Sequence, residues 1–364
     1  MENPVVCVCK DAGGTNGIVP VHQALLAAGV PSILIANGKA LELLPSRGVG
    51  FRYYPTPDAI LADIPAPAAL VTSICTGGGI GRDLVPLLKG RRPTIALQDF
   101  WLSPFRANGS WRDPQYRPDA FVVNDEFGAM CVRPDWEEGT REGRIHVIGY
   151  PSLDALASFD GASAAQGVNA MLSVAPDEPV VLYIGGVQRT AAILSQVIAA
   201  CELAQSRGRR FTFIPRSHPA MRDLVPEEAK LWDAALRSSR ITRVVSDSQS
   251  VADTTALVAR ASAVISTHST VLMIAAALRK PTISFLDAEE REIYRRATSG
   301  VFERLPLVTL GCAVEATSVD DLAALIERCV DGHGLGPEER QAATFTLDGK
   351  NAERVAAFVR SLVQ

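Results

Sequence analysis

Two doubly wound α/β domains in tandem are predicted by three features of the 364-residue sequence. Short apolar runs alternate with helical stretches, the pattern of parallel strands joined by helical crossovers. Small, polar or glycine-rich turns stand where those runs end. The pattern also starts afresh after a segment rich in Ala, Ser, Gly and Asp at 157–177. The length allows two ordinary domains with a large buried core, and 47% hydrophobic residues make the chain globular.

In the first half, Val5–Cys9 predicts a strand. The run Lys10–Gly17 then reads as a glycine-rich turn containing Asp11, Gly13, Gly14, Thr15 and Asn16. A helix follows from about Val19 to Ala28, with Pro20 in its first turn, where a missing N–H is tolerated. Gly29 ends it and Ser32–Ala36 is the next strand. Ala69–Ser73, Thr94–Leu97, Ala120–Asn124 and Ile145–Ile148 complete the strands of this half. The glycine run 77–81 leads into a short helix near Asp83–Leu88, and Gln98-Asp99-Phe100-Trp101 follows the strand that ends at Leu97.

The second half repeats the logic. Val180–Ile184 is a strand, Gly185-Gly186 opens a helix over Thr190–Ser206, and Arg210–Pro215 is a strand ending in Arg216-Ser217-His218-Pro219. Val244-Val245 leads to the polar run 246–250 and a helix over Val251–Arg260. Ala263–Phe285 then reads as strand, hydroxyl-rich turn, apolar helix, basic-Pro turn and strand. The segment 157–177 is predicted as a linker with a short helix. The last helix, Asn351–Val363, sets Val355, Phe358, Val359 and Leu362 at helical spacing.

Charge and motifs narrow the function classes. A net charge of −4 with scattered arginines offers no nucleic-acid footprint. The seven cysteines lack metal-ligand spacing, and an odd count without a framework suits a reducing cytoplasm. No signal peptide or membrane-length apolar run is evident, so an intracellular, cytoplasmic protein is expected. Gly13-Gly14-Thr15-Asn16-Gly17 and Gly77–Gly81 both fail the dinucleotide pattern, and Ala36-Asn37-Gly38 stands where a ribose-binding acid would be. No P-loop and no metal motif is present, so no metal or cofactor is expected.

Ligands of such sheets bind at the carboxyl ends of the strands, where the polar turns lie. Ser266, Thr267, His268, Ser269 and Thr270 bring four hydroxyls and an imidazole to a strand-to-helix turn. Backbone N–H groups are unpaired at a helix start and the dipole is positive there, so the turn suits a phosphate. A hydroxyl that merely caps the helix is the simpler alternative. Two facing domains would form a cleft lined by Asp11–Asn16, Asp99, Gly185–Arg189, Arg216–His218 and Ser266–Thr270.

The whole layout resembles the two-domain GT-B glycosyltransferase architecture, in the group that includes UDP-N-acetylglucosamine 2-epimerases. Four stretches carry the likeness: KDAGGTNG after the first strand, HVIGYPSLDAL at 146–156, VVLYIGG at 180–186, and ASAVISTHSTVLMIAAALRKPTISF. The resemblance implies two Rossmann-like domains facing across a cleft. An acceptor-side domain would span 1–155 and a donor domain 176–345, with 346–364 crossing back onto the first. It implies a nucleotide-activated donor, a UDP-sugar first and a CMP-sugar second, and an acceptor molecule. A homodimer is allowed for. Arg216-Ser217-His218-Pro219 also resembles the "HP" element of sialyl-, polysialyl- and glycerophosphate-type transferases.

Residue roles follow from that implied donor. Gly185 and Gly186 would let phosphates approach the backbone, and Arg189 or Arg216 would fork onto them. His218 would assist the leaving phosphate, or else sit satisfied at a strand end. Asp11 is the candidate base, with a turn carboxylate bonding its own backbone as the alternative. Gly13, Gly14, Thr15, Asn16 and Asp99 would meet sugar or acceptor, and Trp101 would stack on a sugar face. Asp125-Glu126 reads as a helix cap, and Asp154 as shaping the domain junction. Of the acids at 287–292, Glu289 is chosen for the sugar. The expected reaction is a metal-independent glycosyl transfer. An epimerase or hydrolase of the same fold and a non-catalytic sugar-nucleotide binder are the alternatives.

Overall fold

The computed structural model describes residues 3–74, 78–101, 113–132, 144–187, 189–218, 221–246, 248, 251, 253–298 and 300–363. Gly77, Gln188, Pro219, Asp247, Gln249 and Ser250 lie outside the described residues. The chain forms two compact units, Met1–Ser158 with Ala297–Val301 and Leu347–Gln364, and Phe159–Arg296 with Phe302–Thr346.

The first unit holds β1 (Val5–Cys9), β2 (Ser32–Ala36), β3 (Ala69–Ser73), β4 (Thr94–Leu97), β5 (Ala120–Val123) and β6 (Ile145–Val147). They pair in the order β2-β1-β3-β4-β5-β6, each pair parallel. Helices cover both faces, so β1 and β3 are buried along their whole length. Ile18, Val21 and Leu25 pack one face together with Val355 and Val359 of the last helix. Ile60, Leu84, Val85 and Leu88 pack the other. Strand order reverses between β1 and β3, which puts the switch point beside Lys10-Asp11.

The first helix begins earlier than predicted. It runs Ala12–Ala27, so the supposed glycine-rich turn is helical and Pro20 lies inside the helix. Asp11 is its N-cap, with Oδ1 accepting from Gly14 N at 2.7 Å. That bond satisfies an N–H that would otherwise be orphaned, and it starts the helix despite two glycines.

The last helix, Asn351–Val363, packs against the first. Asp154 holds its start: Oδ1 accepts from Asn351 N at 3.0 Å and from Asn351 Nδ2 at 2.6 Å, and Oδ2 from Ala352 N at 2.7 Å. Gly149 sits beneath at φ +126°, where a Cβ would fall 2.0 Å from Asn351 Oδ1. Asp154→Ala removes three bonds from one helix start. It is expected to cost about 2 kcal/mol of stability, read as a lower urea midpoint at unchanged slope.

The second unit holds β7 (Val180–Ile184), β8 (Thr212–Arg216), β9 (Ala263–Ser266), β10 (Thr282–Phe285) and β11 (Val314–Ala316). Their order is β11-β10-β9-β7-β8, again all parallel. Tyr183, Phe213, Trp232, Ile265 and Phe285 belong to its core. The segment predicted as a linker carries the helix Gly161–Leu172, which packs on Thr254–Arg260 within this unit. Arg260, 9% exposed, ties the two by bonding Asn169 Oδ1 and Ala175 O. No helix among the described residues is long and apolar enough to cross a membrane.

Candidate functional site

Register places the chemistry of the first unit. Cys9 pairs with Ala36 and Ser73 with Leu97, so the residues after β1, β3 and β4 leave one edge of the sheet. Asp11, Ser73 and Asp99 converge there on Gly13 and Gly14. A Cβ on Gly13 would lie 2.6 Å from Asp99 Oδ2, and one on Gly14 would lie 2.0 Å from Ser73 Oγ and 3.0 Å from Asp11 Oδ1. The glycines are therefore required by close side-chain approach at the start of a helix, with no need of a left-handed backbone. Ser73 escaped sequence reading, since it looked like the last residue of an apolar strand.

Burial pushes the Asp11 carboxyl above the usual range, partly offset by the Gly14 N–H and the nearby Lys10 ammonium. A carboxylate with that bias accepts a proton more readily than an ordinary one. Lys10 is itself tied down, donating to Gly78 O at 2.7 Å. Thr15 is buried and its Oγ1 donates to Asp11 O at 2.5 Å, so it supports the cap. Asn16, the next residue of the helix, is half-buried.

Trp101 corrects the sequence expectation. It is fully buried, and its Nε1 donates to both oxygens of Asp125 at 3.1 Å. Asp125 also accepts from Tyr150 Oη and, at 2.6 Å, from Gly128 N at the start of the helix Glu126–Val132. The indole is a core group holding a helix cap, with no face to offer a sugar.

In the second unit, Ile184 pairs with both Arg216 and Ser266, and Ser266 with Ser284. The ends of β8, β7 and β9 are thus in register, β10 runs on to Phe285, and the loops after them share one edge. Gly185 is packed: a Cβ there would lie 2.6 Å from the Trp232 ring and 2.5 Å from Thr190 Oγ1. No atom of the described residues lies within 4 Å of the Gly186 Cβ position.

The two arginines are engaged by protein groups. Arg216 is 7% exposed, and its Nη1 donates to Ser248 O and Val251 O, each at 2.7 Å. Arg189 stands at φ +50° before the helix Thr190–Ser206. Its guanidinium lies 2.7 Å from Glu289, 3.0 Å from Glu290 and 3.6 Å from Asp287. Glu289, chosen from sequence for the sugar, is thus a partner of Arg189. Glu228 Oε2 accepts from Ala191 N at 3.1 Å, so a carboxylate already occupies that helix start. Sequence could not pair residues 37 to 101 positions apart.

The hydroxyl turn is divided in its duties. Ser266 Oγ donates to Ile184 O at 2.7 Å, and Ser269 Oγ accepts from Val271 N at 3.2 Å. Thr267 is buried, and its carbonyl accepts from Ser284 Oγ at 2.9 Å. His268 lies 5.7 Å from the Tyr294 ring, and Thr270 is exposed. The helix beyond, Val271–Ala277, has only seven residues, so its dipole is weaker than the apolar run suggested. His218 is exposed beyond β8, and its carbonyl accepts from Met221 N at 2.9 Å.

Comparison with known proteins agrees with this layout. The family described as CDP-Glycerol:Poly(glycerophosphate) glycerophosphotransferase matches residues 114–361. No curated protein matches the sequence. The fold is shared with a MnaA–UDP co-structure from S. aureus (TM-score 0.67, 13% identity, 97% of this chain and 95% of that one). It is shared with a UDP-GlcNAc 2-epimerase from Neisseria meningitidis bound to UDP-GlcNAc (TM-score 0.67, 14% identity, 99% and 100% covered). A variant of the wall teichoic acid polymerase TagF soaked with CDPG is also similar (TM-score 0.62, 13% identity, 100% and 89% covered). The two units are Rossmann-like domains of the GT-B fold, as the sequence predicted.

Proposed function

The chain belongs to the CDP-Glycerol:Poly(glycerophosphate) glycerophosphotransferase family, and we propose that it transfers a phosphoalcohol unit from a cytidine diphosphate-linked donor to an acceptor hydroxyl. The observation that carries this reading is the shared edge of the second unit. Ile184, Arg216, Ser266 and Ser284 lie in register there, inside the stretch the family matches. Sequence alone ranked a UDP-sugar first. Family membership favours the cytidine donor.

In the proposed reaction the acceptor oxygen attacks the donor's β-phosphorus. A P–O bond forms to the acceptor, and the P–O bond to CMP breaks, with the electron pair leaving on the CMP oxygen. Asp11 takes the acceptor proton, a role its burial-raised pKa supports. His218 donates to the departing phosphate. Gly186, the backbone of the 267–270 turn and Thr270 receive the donor phosphates. Asp99, beside Gly13, orients the acceptor.

The test is a panel of CDP-glycerol, UDP-GlcNAc and CMP- and GDP-sugars, followed by thermal shift and by chromatography of released nucleotide. CDP-glycerol is expected to raise the melting temperature and to yield CMP only when an acceptor is present. Turnover of UDP-GlcNAc without an acceptor supports an epimerase or hydrolase instead, and the absence of binding to the whole panel overturns the reading.

A further inference from the structure

We propose that Glu290 is a positioning residue that orients His268 for contact with a donor phosphate. This rests on the donor-binding reading of the second unit. Glu290 is 5% exposed. Its Oε2 lies 3.0 Å from Arg189 Nη1, on the loop after β7, and its Oε1 lies 3.6 Å from His268 Nδ1, on the turn after β9. One carboxylate therefore links two of the loops that share the edge.

A buried carboxylate persists only where charge and hydrogen bonds compensate its desolvation. Both are present here. Arg189 supplies a guanidinium, and Glu290 lies in the first turn of the helix Ala288–Ala297, whose positive end favours an anion. Asp287 Oδ1 accepts from Glu290 N at 2.7 Å, which fixes that turn. Among the described groups near the pair are Arg189, Asp287, Glu289, Tyr183 and Tyr294, the last with its ring 5.7 Å from the imidazole.

Glu290 Oε1 is the carboxylate oxygen that faces His268 Nδ1, 3.6 Å away. The carboxylate draws the Nδ1 proton toward itself, which leaves the ring's Nε2 as the atom that meets phosphate. The same carboxylate restrains Arg189. Loss of its charge releases the imidazole's orientation, while Asp287 and Glu289 still hold the guanidinium. His268 thereby becomes a phosphate contact set from behind by a residue that never touches the donor.

The experiment pairs imidazole ¹⁵N NMR of the ligand-free protein with CMP affinity. Wild type is expected to show a protonated Nδ1 for His268. That signature is lost in Glu290→Gln at an unchanged melting temperature. CMP binding weakens about tenfold in Glu290→Gln, the difference between a charged and a neutral partner. The double variant with His268→Ala weakens it no further than His268→Ala alone. Should Glu290→Gln fail to fold, Glu290→Asp withdraws the charge by a methylene and shows the same losses. An unchanged imidazole signature, or additive losses in the double variant, overturns the proposal. Failure of wild type to bind CMP counts against the donor reading, and the NMR signature then decides the role of Glu290 alone.

Discussion

Asp11→Asn folds normally and loses about 10²–10⁴-fold in kcat, the range expected for removal of a general base. Asn keeps an oxygen where Asp11 Oδ1 caps Gly14 N, so the start of the first helix survives. What disappears is the carboxylate that accepts the acceptor's proton. The sign of the stability effect follows from the raised pKa. A folded-state carboxyl that titrates above its unfolded value lowers stability as pH rises from the unfolded to the folded value. Above its raised folded-state value the charged Asp11 is a net cost, so there the neutral amide leaves stability equal or higher. Asp11→Ala, by contrast, also loses the cap and about 1 kcal/mol. Steady-state kinetics and urea titration of both variants separate the two roles. In wild type the rate rises with pH through the raised Asp11 value. An Asp11→Asn enzyme with wild-type kcat removes Asp11 from the chemistry.

Gly185→Ala and Gly186→Ala are expected to part company although they are neighbours. A methyl on Gly185 meets Trp232 ring carbons at 2.6 and 2.9 Å. Trp232 is 3% exposed and stacked on Tyr183 at 5.8 Å, so it has little room to retreat. Overpacking of that kind costs about 1–3 kcal/mol. A methyl on Gly186 meets none of the described residues, so the fold is expected to hold and donor affinity falls if phosphate approaches the backbone there. Thermal denaturation together with CMP titration tests the contrast. Equal melting temperatures for the two variants contradict the packing account.

Most of the sheet is legible in the sequence. Val5–Cys9, Ser32–Ala36, Ala69–Ser73, Thr94–Leu97 and Val180–Ile184 appear with the predicted bounds, because a strand buried on both faces must be apolar throughout. β8 starts two residues later than predicted and ends one residue later, since Arg216 is buried and bonded where an arginine reads as the start of a loop. The short helices Ala40–Ser46 and Pro57–Asp63 were not predicted. Neither was β11, whose three residues include Glu315. Such brief elements owe their existence to packing more than to periodicity.

Sequence by itself determined that this protein is a pair of parallel α/β domains with polar residues gathered at the carboxyl ends of the strands. Apolar runs and turn residues are local signals, and they survive without knowledge of neighbours. Only the tertiary structure decided which of those polar groups are spent on the protein itself. Trp101 went to Asp125, Arg216 to the carbonyls of Ser248 and Val251, Ser266 to β7, and Arg189 to the acids of the helix Ala288–Ala297. The physical reason is that a buried donor or acceptor must find a partner, and these partners lie tens of residues away along the chain.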